Sequence, residues 1–499
     1  MSRLSKNIAH NIIGQSLLLV LGLVAVRYVF RLMGEDALGI ILFTLLLSNV
    51  LTAALELGIN SSTVREVSSH LEAEPDYVTR LIQTASAFYW SAYLVLIVGL
   101  WAVAPWIVSR WVQVGSIDSA TAVSVVRILG AGALTAIPRS LYMSLFRGLQ
   151  RMEIINLIEV STNILQQAGI VAILVVGGSL GTVAWWMAAS YVVGLAAYLL
   201  FAMRWFPVRA FAPRLSADVV ARNLTYALHM MSISVLAMVQ LQADKLMVSR
   251  LLPLGFFGYY AFTYSTVSRG GTLVTGAVVQ AAFPALSERF RADGRDAMMP
   301  QFRKLQDLVL FGTVPLFAVI PFAALPVFGV IFNPEIARML LLPATFLSVG
   351  YFMNGAMNVP YVFSLAVGKP EISAKANALA LVVVLPASWL LIRRFGLNGA
   401  GFSWIVYHLF AYSYTVPRIC KECLQIPSRE WFKRFLSVLA VALATYGTAW
   451  LVVSSSGTPD IVSLISAFSA ATIVYGLVAW LMMTADLRTS IAGAMRLGA

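Results

Sequence analysis

Apolar residues in this chain gather into long runs separated by short polar gaps. A helix needs about 20 mostly apolar residues to cross the hydrocarbon of a bilayer. Runs of that kind lie near residues 11–32, 39–60, 82–104, 120–142, 155–176, 180–203, 224–248, 256–285, 307–331, 339–366, 373–392, 399–417, 435–453 and 461–483. Those at 120–142 and 256–285 carry arginine inside the run. The gaps leave no room for an inserted soluble domain. The pattern predicts an all-α polytopic membrane protein of about 14 transmembrane helices.

Composition agrees with the pattern. Hydrophobic residues make up 60% of the 499 and charged residues 11%, with mean hydropathy +0.83, where soluble domains carry about 25% charge. The net charge of +13 does not point to nucleic acid, because the basic residues sit in the short gaps between apolar runs. Two cysteines exclude a disulfide framework. They form Cys420-Lys421-Glu422-Cys423, half of the four ligands a structural zinc site takes. No metal or cofactor is expected. Arg3 and Lys6 lead directly into the first run with no small-residue cleavage site, so that helix is expected to stay as an anchor.

The basic residues also orient the chain. With the N-terminus in the cytoplasm, 24 Lys and Arg fall in cytoplasmic segments and 7 outside, with Arg27, Arg127, Arg139 and Arg269 left inside spans. The positive-inside rule favours this arrangement. It places both termini in the cytoplasm of a cell inner membrane. The stretches 289–304 and 418–434 then act as topology signals that also meet anionic lipid.

The chain contains a duplication. Arg31-Leu32-Met33 precedes Gly39-Ile40-Ile41 as Arg250-Leu251-Leu252 precedes Gly258-Tyr259-Tyr260, at an offset of 219 (250 minus 31, and 258 minus 39). Arg151-Met152-Glu153-Ile154 and Gly178-Ser179-Leu180-Gly181 recur as Lys369-Pro370-Glu371-Ile372 and Gly396-Leu397-Asn398-Gly399, at an offset of 218 (369 minus 151). The offset spans six runs, an even number, so both halves enter the membrane in the same sense. The expected organisation is a six-helix lobe at 1–210, a second at 211–425 related by a parallel repeat, and two additional helices at 426–499.

Several short segments carry a resemblance: Glu56-Leu57-Gly58-Ile59 with Arg65, Gln242-Ala243-Asp244-Lys245, Gly258-Tyr259-Tyr260-Ala261, Phe283-Pro284-Ala285-Leu286-Ser287 and Gly396-Leu397-Asn398-Gly399-Ala400. As an ordered set over roughly residues 5–420, the chain resembles the polysaccharide transporter and O-antigen flippase family. That family lies within the multidrug/oligosaccharidyl-lipid/polysaccharide exporter superfamily. The resemblance implies a flippase for polyprenyl-diphosphate-linked oligosaccharide in cell-surface polysaccharide biosynthesis, with two six-helix lobes bordering a central cavity. Its implied partners are the lipid-linked substrate, membrane lipids, a proton or sodium counter-ion, and a glycan polymerase or ligase.

Charged residues inside the runs are the candidate chemistry, since a charge at mid-bilayer costs about 2.5–3.5 kcal/mol on insertion scales and so faces a cavity or a partner. Arg27 lies in the first run, with Arg31 one turn later; Arg269 lies in the eighth; Arg127 and Arg139 lie in the fourth. Guanidinium groups hold phosphate oxygens through paired hydrogen bonds at any physiological pH. On the lobe arrangement the resemblance implies, Arg27 and Arg269 face one cavity. The alternatives are snorkelling for Arg31 and Arg139, and a structural pair with Glu56 or Glu159 for Arg127. Glu56 and Asp244 are the candidates for ion coupling, and His10 and His229 fall at matching points of the two halves. No nucleotide-binding loop and no nucleophile–base set appears, so the chain is read as a transporter and not an enzyme. A peptidoglycan-precursor flippase and a multidrug or cation exporter of the same superfamily remain open beside the first reading.

Overall fold

The structure, a computed structural model, describes residues 20–54, 59–455, 457 and 459–498, with the backbone alone at residue 54, at positions scattered through 226–297 and at 494–498. The described residues are almost wholly helical and contain no strand. The helices are α1 (20–33), α2 (Glu35–Ala54), α3 (Ile59–His70), α4 (Pro75–Trp106), α5 (Ser119–Ala133), α6 (Ala136–Gly148), α7 (Met152–Val175) and α8 (Leu180–Ala202). They continue with α9 (Ala217–Leu251), α10 (Leu254–Ile331), α11 (Pro334–Ala366), α12 (Glu371–Ile419), α13 (Ser428–Ala442), α14 (Thr448–Ser455), α15 (Ile461–Met482) and α16 (Ala485–Gly498). Ten of the described helical stretches are long and apolar enough to cross a membrane. The chain is therefore an all-α, multi-pass membrane protein.

Polar chemistry marks where helices start and break. Asp118 caps α5 by accepting from the amides of Ala120 and Thr121, and Asn333, Ser179 and Asp460 cap α11, α8 and α15 in the same way. Such caps satisfy amides that the first turn leaves without partners. Left-handed φ values of 75° at Gly294 and 57° at Gly396 break α10 and α12. The break at Gly396 divides a 54-residue apolar stretch (Glu371–Leu424) near the gap expected between the runs at 373–392 and 399–417.

The chain divides into two compact units, Met1–Tyr259 and Tyr260–Ala499. In the first, α5 packs on α8 with Gly132 directly against Ala188, the close approach that small residues give membrane helices. The expected run at 120–142 is two helices, α5 and α6, separated by a turn at Leu134–Thr135. The whole of α9 belongs to this unit.

In the second unit, α13 and α15 are fastened to α10. Arg434 Nε and Nη2 hold the two carboxylate oxygens of buried Asp307 at 2.9 and 2.6 Å. The same guanidinium donates to the Met482 carbonyl, and the Thr484 amide donates to Asp307. Tyr475 donates to the Phe311 carbonyl at 3.1 Å, and Phe322 meets Trp450 and Phe468. Arg434, in the stretch expected as a topology signal, is half-buried and also fastens α13 to α10.

Candidate functional site

The four candidate arginines of the first unit, Arg27, Arg31, Arg127 and Arg139, separate into two kinds. Arg127 on α5 donates from Nε and Nη2 to the Trp101 carbonyl, at 3.1 and 2.9 Å, and lies over the Trp101 ring at 5.0 Å. Pro105 explains why that carbonyl is free. A proline has no amide hydrogen, so Pro105 inside α4 leaves the carbonyl four residues earlier without its helical donor. In a membrane such an orphan must be satisfied from elsewhere, and Arg127 does so. Of the carboxylates considered for it, Glu159 pairs with Arg139 instead, and Glu56 lies outside the described residues.

Arg139 on α6 pairs with Glu159 on α7 at 3.7 Å, and Tyr198 on α8 donates to the same carboxylate at 2.9 Å. Three helices meet at that pair. Arg127 and Arg139, expected among the headgroup-binding arginines, each have a protein partner.

Arg27 and Arg31 differ. On α1, Ala25 and Val29 are buried, 3% and 4% exposed, and form the packed face. Two residues along a helix is a rotation of about 200°, so Arg27 and Arg31 lie on the opposite face, half-buried and exposed respectively. Among the described residues neither has a carboxylate within 4.0 Å. Phe30 fixes the helix sideways through an edge-to-face contact with Tyr259 at 6.0 Å. In the second unit Arg269 lies exposed on α10, along with half-buried Tyr264, Ser265 and Ser268.

Of the coupling candidates, Asp244 is buried on α9 beside Lys245, whose ammonium lies 3.1 Å from the carboxylate and also donates to the Leu241 carbonyl. Glu56, His10 and the side chain of His229 lie outside the described residues.

A denser polar cluster was not anticipated. Glu66 on α3 has a side chain only 4% exposed. One carboxylate oxygen accepts from Arg65 at 2.6 Å; the other accepts from Tyr77 at 3.1 Å and lies 3.3 Å from His70 and 3.5 Å from Arg222 on α9. Arg222 sits over the Tyr77 ring at 4.1 Å and reaches Glu74 at 3.3 Å. Asn223 extends the cluster by donating to Tyr77 at 3.0 Å and accepting from Ser62 at 2.6 Å. A signal was present: Glu66, His70 and Glu74 recur every four residues, one helical face of a polar segment.

The opposite end of the unit is held in another way. Gly39 of α2 packs on the backbone of Leu254, and a β-carbon on Gly258 would lie 3.1 Å from the nitrogen and α-carbon of Gly39. Tyr259 donates to Glu35, and the Leu254 amide donates to the Gln113 carbonyl at 3.1 Å. Asp36 pins the loop after α4 by accepting from Gly115 and Ser116. Among the described residues no group of three or more His, Cys, Asp or Glu could hold a metal ion.

Known proteins resemble this chain over most of its length. A family model described as polysaccharide biosynthesis protein matches residues 4–290, more than half of the chain. A Shigella flexneri protein named as an O-antigen transporter is 20% identical over 421 residues, covering 80% of this chain and 94% of that protein. The lipid II flippase MurJ in an inward closed conformation matches with a TM-score of 0.69 at 14% identity, over 94% of this chain and 98% of that one. An inward-facing multidrug resistance MATE family transporter of the MOP superfamily matches with a TM-score of 0.67 at 13% identity, over 81% and 95%. These two structures share the fold.

Proposed function

Because the chain belongs to the polysaccharide biosynthesis protein family, we propose that this multi-pass MOP-superfamily transporter flips a polyprenyl-diphosphate-linked oligosaccharide from the cytoplasmic to the outer leaflet by alternating access. The diphosphate docks on Arg27, with Arg31 beside it, and Arg269 is a further candidate for the headgroup. Arg127 and Arg139 position the helices instead. The observation that carries the reading is the arginine face of α1: two guanidinium groups opposite the packed face, with no carboxylate within 4.0 Å among the described residues. A cation held inside the membrane without a protein counter-charge calls for an anionic ligand or a wet cavity.

The proposed orientation puts both termini in the cytoplasm of the inner membrane, with six-helix lobes at 1–210 and 211–425 and two further helices at 426–499. Outward movement of two negative charges across about 100 mV, inside negative, releases roughly 4.6 kcal/mol, enough to drive the step without nucleotide hydrolysis. A proton or sodium counter-ion would add to that drive through Glu56 or Asp244. A glycan polymerase or ligase would consume the product.

The match to MurJ favours a second reading, a peptidoglycan-precursor flippase, which shares the diphosphate–lipid headgroup and differs in its sugars. Proteoliposomes loaded with either lipid decide between them. Wild-type protein should expose the lipid-linked oligosaccharide to an external glycosidase, and Arg27→Gln should slow exposure at least tenfold with insertion unchanged. Wild-type rates in both Arg27→Gln and Arg269→Gln would remove the site.

A further inference from the structure

One side of α7 is polar through the middle of a membrane span. Glu159, Asn163, Gln166 and Gln167 follow one another at three- and four-residue steps and so share one side of the helix. Leu157, Leu165 and Val175 are exposed on the other side. Polar groups turned away from lipid need partners in the protein or a ligand.

The protein meets that need only in part. Asn163 donates to the Glu159 carbonyl of its own helix at 2.9 Å. Gln166 is 6% exposed, yet its Nε2 has no hydrogen-bond partner among the described residues. The Glu159 side chain is 32% exposed although it lies on the packed flank, and Arg139 of α6, 3.7 Å away, is 19% exposed. Exposure on that flank marks an opening among α6, α7 and α8, all of the first unit. Tyr191 of α8 lies beside Gln166 and within electrostatic reach of Arg139 and Glu159. The backbone here is fixed: Trp186 Nε1 donates to the Gln166 carbonyl at 3.2 Å, and its ring occupies the space that a β-carbon on Gly169 would take.

The chemistry selects a class of ligand. Arg139 and Glu159 cancel in charge, so the opening favours neither an anion nor a cation. The carboxylate accepts, the guanidinium donates, and the side-chain amides do both. A sugar hydroxyl is itself both donor and acceptor, and several in a row match such a set.

We propose that the α7 face is a glycan subsite, in which Glu159, Asn163, Gln166 and Gln167 hydrogen-bond hydroxyl or acetamido groups of the cargo's sugars. The proposal rests on the lipid-linked oligosaccharide reading and deepens it: the arginines of α1 hold the diphosphate, and α7 reads the sugar.

Two short-chain ligands test it on purified full-length protein: a prenyl diphosphate, and the same molecule carrying one N-acetylhexosamine. Wild type should bind the glycosylated form at least fivefold more tightly. Gln166→Leu and Gln167→Leu should erase that gain and leave affinity for the bare diphosphate unchanged, while Ser161→Ala, on the exposed side of α7, should keep it. Variants that weaken both ligands alike would show a structural role and overturn the subsite. Equal affinity of wild type for the two ligands would overturn it while the diphosphate reading stands. If wild type binds neither ligand, the cargo reading fails by itself, and a readout free of lipid then decides the subsite. The two native cysteines are buried, so a water-soluble maleimide should label Gln167→Cys selectively, and free chitobiose should slow that labelling at least threefold. Labelling indifferent to the sugar would overturn the subsite.

Discussion

The two ends of the first unit are held by opposite means. At the α3 end, buried Glu66 draws Arg65, His70, Tyr77 and Arg222 into a cluster that ties α9 to α3 and α4. At the other end, the start of α10 packs on α2 through Gly39 and Gly258, the buried Phe43–Phe257 pair and the Tyr259–Glu35 hydrogen bond. Buried charges are directional, and separating them strands a charge away from water, so the α3 end is a fixed joint. A backbone-on-backbone contact stands or falls by shape. The difference separates an end held by buried charge from an end held by close packing.

Breaking the fixed end should cost most. Glu66→Ala leaves Arg222 and Tyr77 without their shared acceptor and should destabilise the solubilised protein by about 2–3 kcal/mol, the scale of charge-assisted hydrogen bonds, read as a fall in thermal unfolding midpoint. A change within experimental error would show that the cluster is not a joint. Asp307→Asn provides a parallel case in the second unit: by losing half of the bidentate clasp on Arg434, it should cost about 2 kcal/mol and loosen α13 and α15, seen as faster amide exchange there. Tyr77→Phe removes the hydrogen bond to Glu66 and leaves an Asn223 N–H without its acceptor, which should cost about 1 kcal/mol. The smallest effect on stability belongs to Tyr259→Phe at the α2–α10 contact, where one hydrogen bond is lost from a closely packed site. It should cost about 0.5 kcal/mol, seen as modestly faster exchange at residues 35–43. A midpoint loss larger than that of Tyr77→Phe would reverse the comparison.

Much of the architecture was legible in the sequence because membrane helices announce themselves through uninterrupted apolar length. The segments that escaped lack that length. α3 is a short polar helix, and the run at 120–142 hides a turn at Leu134–Thr135 that no apolar count can register. Among the candidate site residues, Arg27 and Arg31 could be singled out as uncompensated charges because the first run contains no acid. The roles of Arg127 and Arg139 could not be read, since their partners lie 26 residues back, at Trp101, and on the following helix, at Glu159. Pro105 was the one available hint for Arg127, through the carbonyl it leaves free. The duplication offered Gly39 and Gly258 as equivalents, but equivalence in sequence does not imply contact. That they touch is a property of the fold.

The central claim is that α1 presents its arginine face to an anionic headgroup. The most direct measurement is the affinity of purified protein for a short-chain prenyl diphosphate, with the matching neutral prenyl alcohol as reference. Arg27→Gln should weaken the diphosphate at least tenfold and leave the alcohol unchanged, whereas Arg127→Gln and Arg139→Gln should lower stability and keep the diphosphate preference. Equal diphosphate affinity in wild type and Arg27→Gln would contradict the account.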